Sequence, residues 1–236
     1  MLSGKTPVPP RQLALDLPTR TVFGREDFLV SSSNVAAFDF VDRWPDWPDR
    51  RALLIGPPGS GKSHLAAIWA QSAGAVVIEG QALTDAIVPQ LGRHPAIVLE
   101  NADAPGLNEA ALFHLLNLVQ ETGDYLLLTA RDLPAHWGVK LPDLASRLRL
   151  QPSIAIQTPD EVLLRAVMVK LFDDRQLIVE TNIIDYLLRR IDRSLDAARA
   201  IVARLDGEAL ARGRRITRAM AAEILNETDG PDQDEI

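Results

Sequence analysis

The sequence predicts an α/β protein: a doubly wound core on a five-stranded parallel sheet, followed by a small C-terminal helical domain. Five short apolar runs, at 52–56, 75–79, 96–100, 125–130 and 153–157, are continuous rather than alternating, as strands buried on both faces are. Helical patterns fill the gaps between them, which argues for repeated strand–helix–strand units. Beyond residue 157 only helical patterns remain.

Residues 1–11 are rich in proline and small side chains and read as flexible, within a lead segment of 1–21. The core is expected over 22–158, with helices at 62–73, 81–92, 107–122 and 141–148. Pro89 is placed to end the second of these early. Thr158-Pro159-Asp160-Glu161 is a helix start: a hydroxyl to cap, proline at the first position and acids in the first turn. Helices at 160–173, 182–192, 195–211 and 218–226 then build a helical domain over 159–226. The acidic stretch 227–236 has nothing to bury and reads as a disordered tail.

A net charge of −7 gives no general attraction for nucleic acid or anionic membrane, so no direct sequence-specific DNA binding is expected. One local basic cluster, Arg212, Arg214, Arg215 and Arg218, reads first as a solvated turn between two helices. The chain has no cysteine, which excludes disulfides and thiolate metal sites and makes a reducing cytoplasm the natural compartment. The four histidines show no ligand spacing. No apolar run approaches the roughly 18 residues of a membrane span, and the N-terminus lacks the apolar stretch of a signal peptide.

The chemistry starts at Gly56-Pro57-Pro58-Gly59-Ser60-Gly61-Lys62-Ser63, a complete G-x-x-x-x-G-K-[ST] between a strand and a helix. Glycines there let backbone N–H groups curl around phosphates, and the helix N-terminus adds partial positive charge. Lys62 reaches the terminal phosphates and the Ser63 hydroxyl is a magnesium ligand. ADP or ATP with Mg²⁺ is the ligand this pattern takes. The run 96–100 ends in Glu100, placed to support the metal, but the next residue is Asn101. An amide cannot accept a proton as a general base, and Asp103 is the nearest acid able to stand in.

These residues resemble those of the AAA+ family, in particular the DnaA clade of bacterial replication initiators and its short Hda-type regulators. Gly61-Lys62-Ser63-His64-Leu65 is similar to the clade's phosphate loop. Thr129-Ala130 followed by Arg131, Asp132, Leu133 and Pro134 is similar to its sensor 1 strand. Leu144-Ala145-Ser146-Arg147-Leu148, with Ile156, Pro159 and Asp160, resembles the box carrying its arginine finger. Phe28, Leu29 and Val30, before Ser33-Asn34, resemble its adenine-side segment. The resemblance covers about 22–226. It implies nucleotide contacts from Phe28, Leu29, Val30 and His64, catalytic roles for Glu100 and for Arg147 acting in trans, and a helical lid over the nucleotide.

The resemblance also bears on partners. DnaA carries an oligomerisation domain before, and a DNA-binding domain after, the part matched here, and their absence from this sequence points to the regulators. Gln12, Leu13, Leu15 and Leu17 resemble the peptide by which those regulators dock on the DNA polymerase sliding clamp. Spaced apolar side chains of such a peptide enter a surface groove while the glutamine hydrogen-bonds at its rim. On its own, Arg147 also reads as a cation at a helix C-terminus.

The sequence departs from the family in the lid, where the usual arginine position holds Asp196, leaving Arg193 or Arg199 to supply the charge. With Asn101, this argues against rapid intrinsic hydrolysis. The resulting expectation is a regulator that binds adenine nucleotide, sits on the clamp and promotes hydrolysis of DnaA-bound ATP. The rivals are a self-sufficient AAA+ ATPase or loader remodelling a replication partner, and a non-catalytic adaptor that recruits an initiator. Homo-oligomerisation is left open.

Overall fold

A computed structural model describes residues 24–228. The clamp-peptide positions Gln12, Leu13, Leu15 and Leu17 and the stretch 229–236 lie outside the described residues. The chain divides into two compact units, one of Val22–Leu163 with Arg193–Asp196, the other of Leu164–Asp192 with the residues from Ala197 onward.

The first unit is the α/β core. Its strands are β1 (Arg51–Ile55), β2 (Val76–Glu79), β3 (Ala96–Glu100), β4 (Tyr125–Ala130) and β5 (Ser153–Ala155), all parallel, in the order β2-β3-β4-β1-β5. Its helices are α1 (Val35–Asp42), α2 (Lys62–Ala73), α3 (Val88–Leu91), α4 (Glu109–Thr122) and α5 (Pro142–Arg149). Side chains of one strand alternate between two cores. Leu53 and Ile55 join Leu112, Leu115, Leu116, Leu144 and Leu148 on the face covered by α4 and α5. Ala52 and Leu54 join Phe40, Leu65, Ile68 and Trp69 on the face covered by α1 and α2. β1, β3 and β4 are buried along nearly their whole length, as their unbroken apolar runs require. β2 and β5 are the sheet edges and alternate between half-buried and exposed positions, so their continuous runs overstate their burial.

The helix expected over 81–92 is corrected by the structure. Only a 3₁₀ turn at Gly80–Ala82 and the four residues of α3 are helical. Pro89 lacks an N–H and its ring clashes with the preceding turn, so it fits only the first turn of a helix that restarts beside it. Helix α1 was not anticipated, although Ser33-Asn34 ahead of an apolar stretch is a usable signal. Asn34 does not cap α1 with its side chain. It accepts from Ser31 N at 2.8 Å and donates to Leu29 O at 2.9 Å, bracing the 29–31 loop.

The helix after β5 is α6 (Glu161–Asp173), and its cap is Asp160, not Thr158: Asp160 Oδ1 accepts the Leu163 N–H at 2.7 Å. The second unit is built from the rest of α6 with α7 (Thr181–Leu188), α8 (Leu195–Arg212) and α9 (Arg218–Thr228). No helix among the described residues is long and apolar enough to cross a membrane.

Candidate functional site

Parallel register brings three chain turns to one edge of the sheet. Ile55 lies beside Ala130, and Leu99 beside Leu128, so Gly56, Asn101 and Arg131 all leave from the carboxyl ends of adjacent strands. In open α/β sheets that edge is where ligands bind, at the point where strand order reverses, here around β1.

Gly56-Pro57-Pro58-Gly59-Ser60-Gly61 forms the turn from β1 into α2. A Cβ on Gly56 would sit 2.4 Å from the Ile156 carbonyl oxygen, so the backbone passes too close for any side chain. Gly59 and Gly61 have φ of 67° and 103°, the left-handed region that favours glycine. Gly59 O accepts the Leu195 N–H at 2.7 Å, and a Cβ on Gly59 would meet the Ser194 side chain at 2.6 Å. The short segment Arg193–Asp196 thus abuts the loop from outside, with Arg193 itself exposed.

Lys62 opens α2 and is buried. Its Nζ donates to Gly56 O at 2.7 Å and to Pro57 O at 3.0 Å. Burial pushes this ammonium below the ordinary lysine range, while the Asp103, Glu100 and Asp196 carboxylates pull it back up and Arg131 does not. Ser63 Oγ donates to Glu100 Oε2 at 3.0 Å, and Thr129 Oγ1 donates to the same oxygen at 2.6 Å. Thr129 accepts the Asn101 N–H at 2.9 Å, so one buried hydroxyl ties the ends of β3 and β4 together.

Asn101 has φ of 53°, a conformation that asparagine tolerates better than most residues. Its amide donates to Glu79 Oε2 at 2.9 Å. Asp103 accepts the Arg131 N–H at 2.7 Å and so stands at the end of β4, within electrostatic reach of Lys62. Glu79 escaped the sequence reading, and Thr129 entered it only within the sensor 1 resemblance, with no role at the site. A lone hydroxyl at the end of an otherwise apolar strand was the available signal for Thr129.

Of the residues expected on the adenine side, Phe28 and His64 come together. Phe28 is buried, stacks on Phe38 with ring centroids 5.6 Å apart, and meets the His64 ring edge-on at 5.2 Å. His64 Nε2 lies 3.3 Å from Gly24 O. Phe28 also lies 3.7 Å from where a Gly61 Cβ would be, so this segment borders the phosphate loop. Leu29 is half-buried and Val30 exposed.

Arg147 is not part of this cluster. It sits in the last turn of α5, half-exposed, with its guanidinium over the Phe113 ring at 5.1 Å and Nη1 donating to Gln120 Oε1 at 3.0 Å. Both partners belong to α4, so Arg147 is presented on the α4–α5 surface.

The residues fit the ligands that the motif implies. Glycines form a cradle that side chains would fill, and among the described residues the buried Ser60 Oγ, 2.9 Å from where a Gly56 Cβ would be, has no hydrogen-bond partner. Ser63 and Glu100 converge as two hard oxygen donors. Among the described residues no three His, Cys, Asp or Glu side chains gather around a point. A magnesium that takes its other ligands from phosphate and water needs no such cluster.

Sheet order, phosphate loop and acid at the end of β3 define the fold of AAA+ P-loop domains, as in DnaA and RuvB. Domain III of the Thermotoga maritima replication initiation protein DnaA is similar at a TM-score of 0.76 and 16% identity, over 91% of this chain and 100% of that one. AMPPCP-bound DnaA from Aquifex aeolicus is similar at 0.71 and 16% identity, over 89% of this chain and 70% of that one. The Thermotoga maritima RuvB Holliday junction branch migration motor is similar at 0.63 and 16% identity, over 75% and 61%. No protein-family model matches the sequence. At such identities the likeness speaks to fold.

Proposed function

We infer that this chain is a DnaA-type AAA+ regulator that binds ADP or ATP with Mg²⁺ and acts on a partner's nucleotide rather than mainly on its own. The observation carrying it is the pairing of a complete phosphate loop and its Ser63–Glu100 contact with an arginine, Arg147, turned to the surface. Loop N–H groups take the phosphates, Lys62 exchanges its two carbonyl contacts for terminal phosphate oxygens, and Ser63 and Glu100 hold the magnesium. The metal supplies charge neutralisation between phosphates. Phe28 and His64 border the base.

Its own hydrolysis is slow, because the residue after Glu100 is an amide engaged with Glu79. In trans, Arg147 stabilises charge on the phosphoryl group transferred in DnaA-bound ATP, an effect of about 10³–10⁵ in rate where arginine fingers act. Gln12, Leu13, Leu15 and Leu17 dock the chain on the sliding clamp, which places it in the cytoplasm beside DNA-bound initiator. The test is ATP hydrolysis by purified DnaA with clamp-loaded DNA, with and without this protein. Stimulation is expected. Steady-state turnover on the order of 10 per second by the isolated protein, without effect on DnaA, would instead identify a self-sufficient ATPase.

A further inference from the structure

The helical unit carries a concave feature that the candidate nucleotide site does not use. A groove of about 490 Å³ runs between the α6–α7 connection and the end of α8. Its walls include Ile178 and Leu210, which are 84% and 70% exposed, the former being the most exposed large apolar residue among those described. Arg175, Arg214 and Arg215 line the same groove. Arg175 is ion-paired with Asp206 at 3.5 Å, and Arg212 nearby is held by Glu208 and Glu223. Arg214 and Arg215 are exposed, and among the described residues no ion pair, hydrogen bond or ring engages either guanidinium. Two unpaired cations beside two uncovered aliphatic side chains form a surface for an acidic, partly apolar segment.

We propose that the occupant is this chain's own stretch 229–236. That stretch reads Asp-Gly-Pro-Asp-Gln-Asp-Glu-Ile, with four acids, no base and one large apolar side chain. It follows directly on α9 in sequence, and Arg214, Arg215 and Ile216 of the groove come just before α9, separated from it by Thr217. The eleven residues of α9 carry the chain about 16 Å from the groove. Eight extended residues span up to about 27 Å, enough to run back along the helix. Covalent attachment gives such a segment an effective concentration on the order of millimolar, ahead of a free acidic peptide. The acids of the stretch match Arg214 and Arg215 in charge, and its one large apolar side chain matches Ile178 and Leu210 in chemistry.

Backbone NMR relaxation on the full ¹⁵N-labelled chain at low salt tests this. The heteronuclear NOE of residues 232–236 is expected to match that of α9, and to fall to coil values in Arg214→Glu/Arg215→Glu and in the parent at 0.5 M NaCl. The Ile178 and Leu210 methyl signals should shift in the same variant. Coil values for 232–236 in the parent at low salt overturn the proposal. A synthetic peptide copying 229–236 is then added. Methyl shifts at Ile178 and Leu210 in that case would assign the groove to an acidic partner instead of the chain's own segment.

Discussion

Ser63 Oγ and Glu100 Oε2 lie 3.0 Å apart, although 37 residues of sequence separate them. The contact brings together a hydroxyl and a carboxylate, the oxygen donors that a hard cation takes, and these are the two ligands proposed above for magnesium. Glu100→Gln keeps the shape and the hydrogen-bond acceptor but removes the charge. We expect its ATP affinity in EDTA to equal the parent's, and the gain on adding Mg²⁺ to be lost. Calorimetric titration in both buffers reads this, and an undiminished magnesium effect would remove Glu100 from the metal site.

Lys62→Ala should weaken binding of ADP and ATP by at least tenfold, about 1.4 kcal/mol. The ammonium is already directed at the loop by Gly56 O and Pro57 O, and its removal deletes the one lysine that the described residues bring there. Equal affinity of parent and variant for both nucleotides, by calorimetry, would reject the loop as the phosphate site.

Gly56→Ala tests the cradle by volume alone. The new methyl would stand 2.4 Å from Ile156 O and 2.9 Å from Ser60 Oγ. The first neighbour is backbone beside β5 and cannot swing aside. Overpacking of this kind costs about 1–3 kcal/mol. Urea unfolding should show that loss, together with weaker nucleotide binding.

Arg147→Ala should leave nucleotide binding intact and abolish stimulation of DnaA-bound ATP hydrolysis. Its contacts to Phe113 and Gln120 are on a half-exposed surface, so stability should move by less than about 1 kcal/mol. Arg147→Lys should not rescue, since lysine lacks the planar fork of donors. Single-turnover hydrolysis on DnaA with clamp-loaded DNA distinguishes the outcomes. Full stimulation by the alanine variant would make Arg147 a helix-end cation only.

Changing Gln12, Leu13 and Leu17 to alanine should abolish retention on immobilised sliding clamp without lowering the melting temperature, because these positions precede the core unit. Retention at the parent level, or a collapsed melt, would each count against a docking peptide.

The fold was legible where burial on both faces forces continuous apolar runs, as at Ala96–Glu100 and Tyr125–Ala130, and where the phosphate loop fixed a strand before it and a helix after it. It was misread where a single residue outweighs periodicity. Pro89 reduces the expected helix to one turn, and Asp160 takes the capping role that Thr158 also suits. The loop residues of the candidate site stand together as motif spacing implies. The contacts of Thr129 with Glu100 and of Glu79 with Asn101 were hidden because the partners lie on other strands, and register across a sheet is not written in local sequence.

The two oxygens of Glu100 have separate duties. Oε2 receives both hydroxyl protons, from Ser63 and Thr129, whereas among the described residues Oε1 receives none. The carboxylate is thus oriented by the protein before any cation arrives, with one lone-pair face committed and the other offered. Thr129, distant in sequence from the 56–63 loop, serves in effect as an alignment pin: it fixes the angle of the Glu100 carboxylate, and so removes reorganisation that the proposed metal binding would otherwise require.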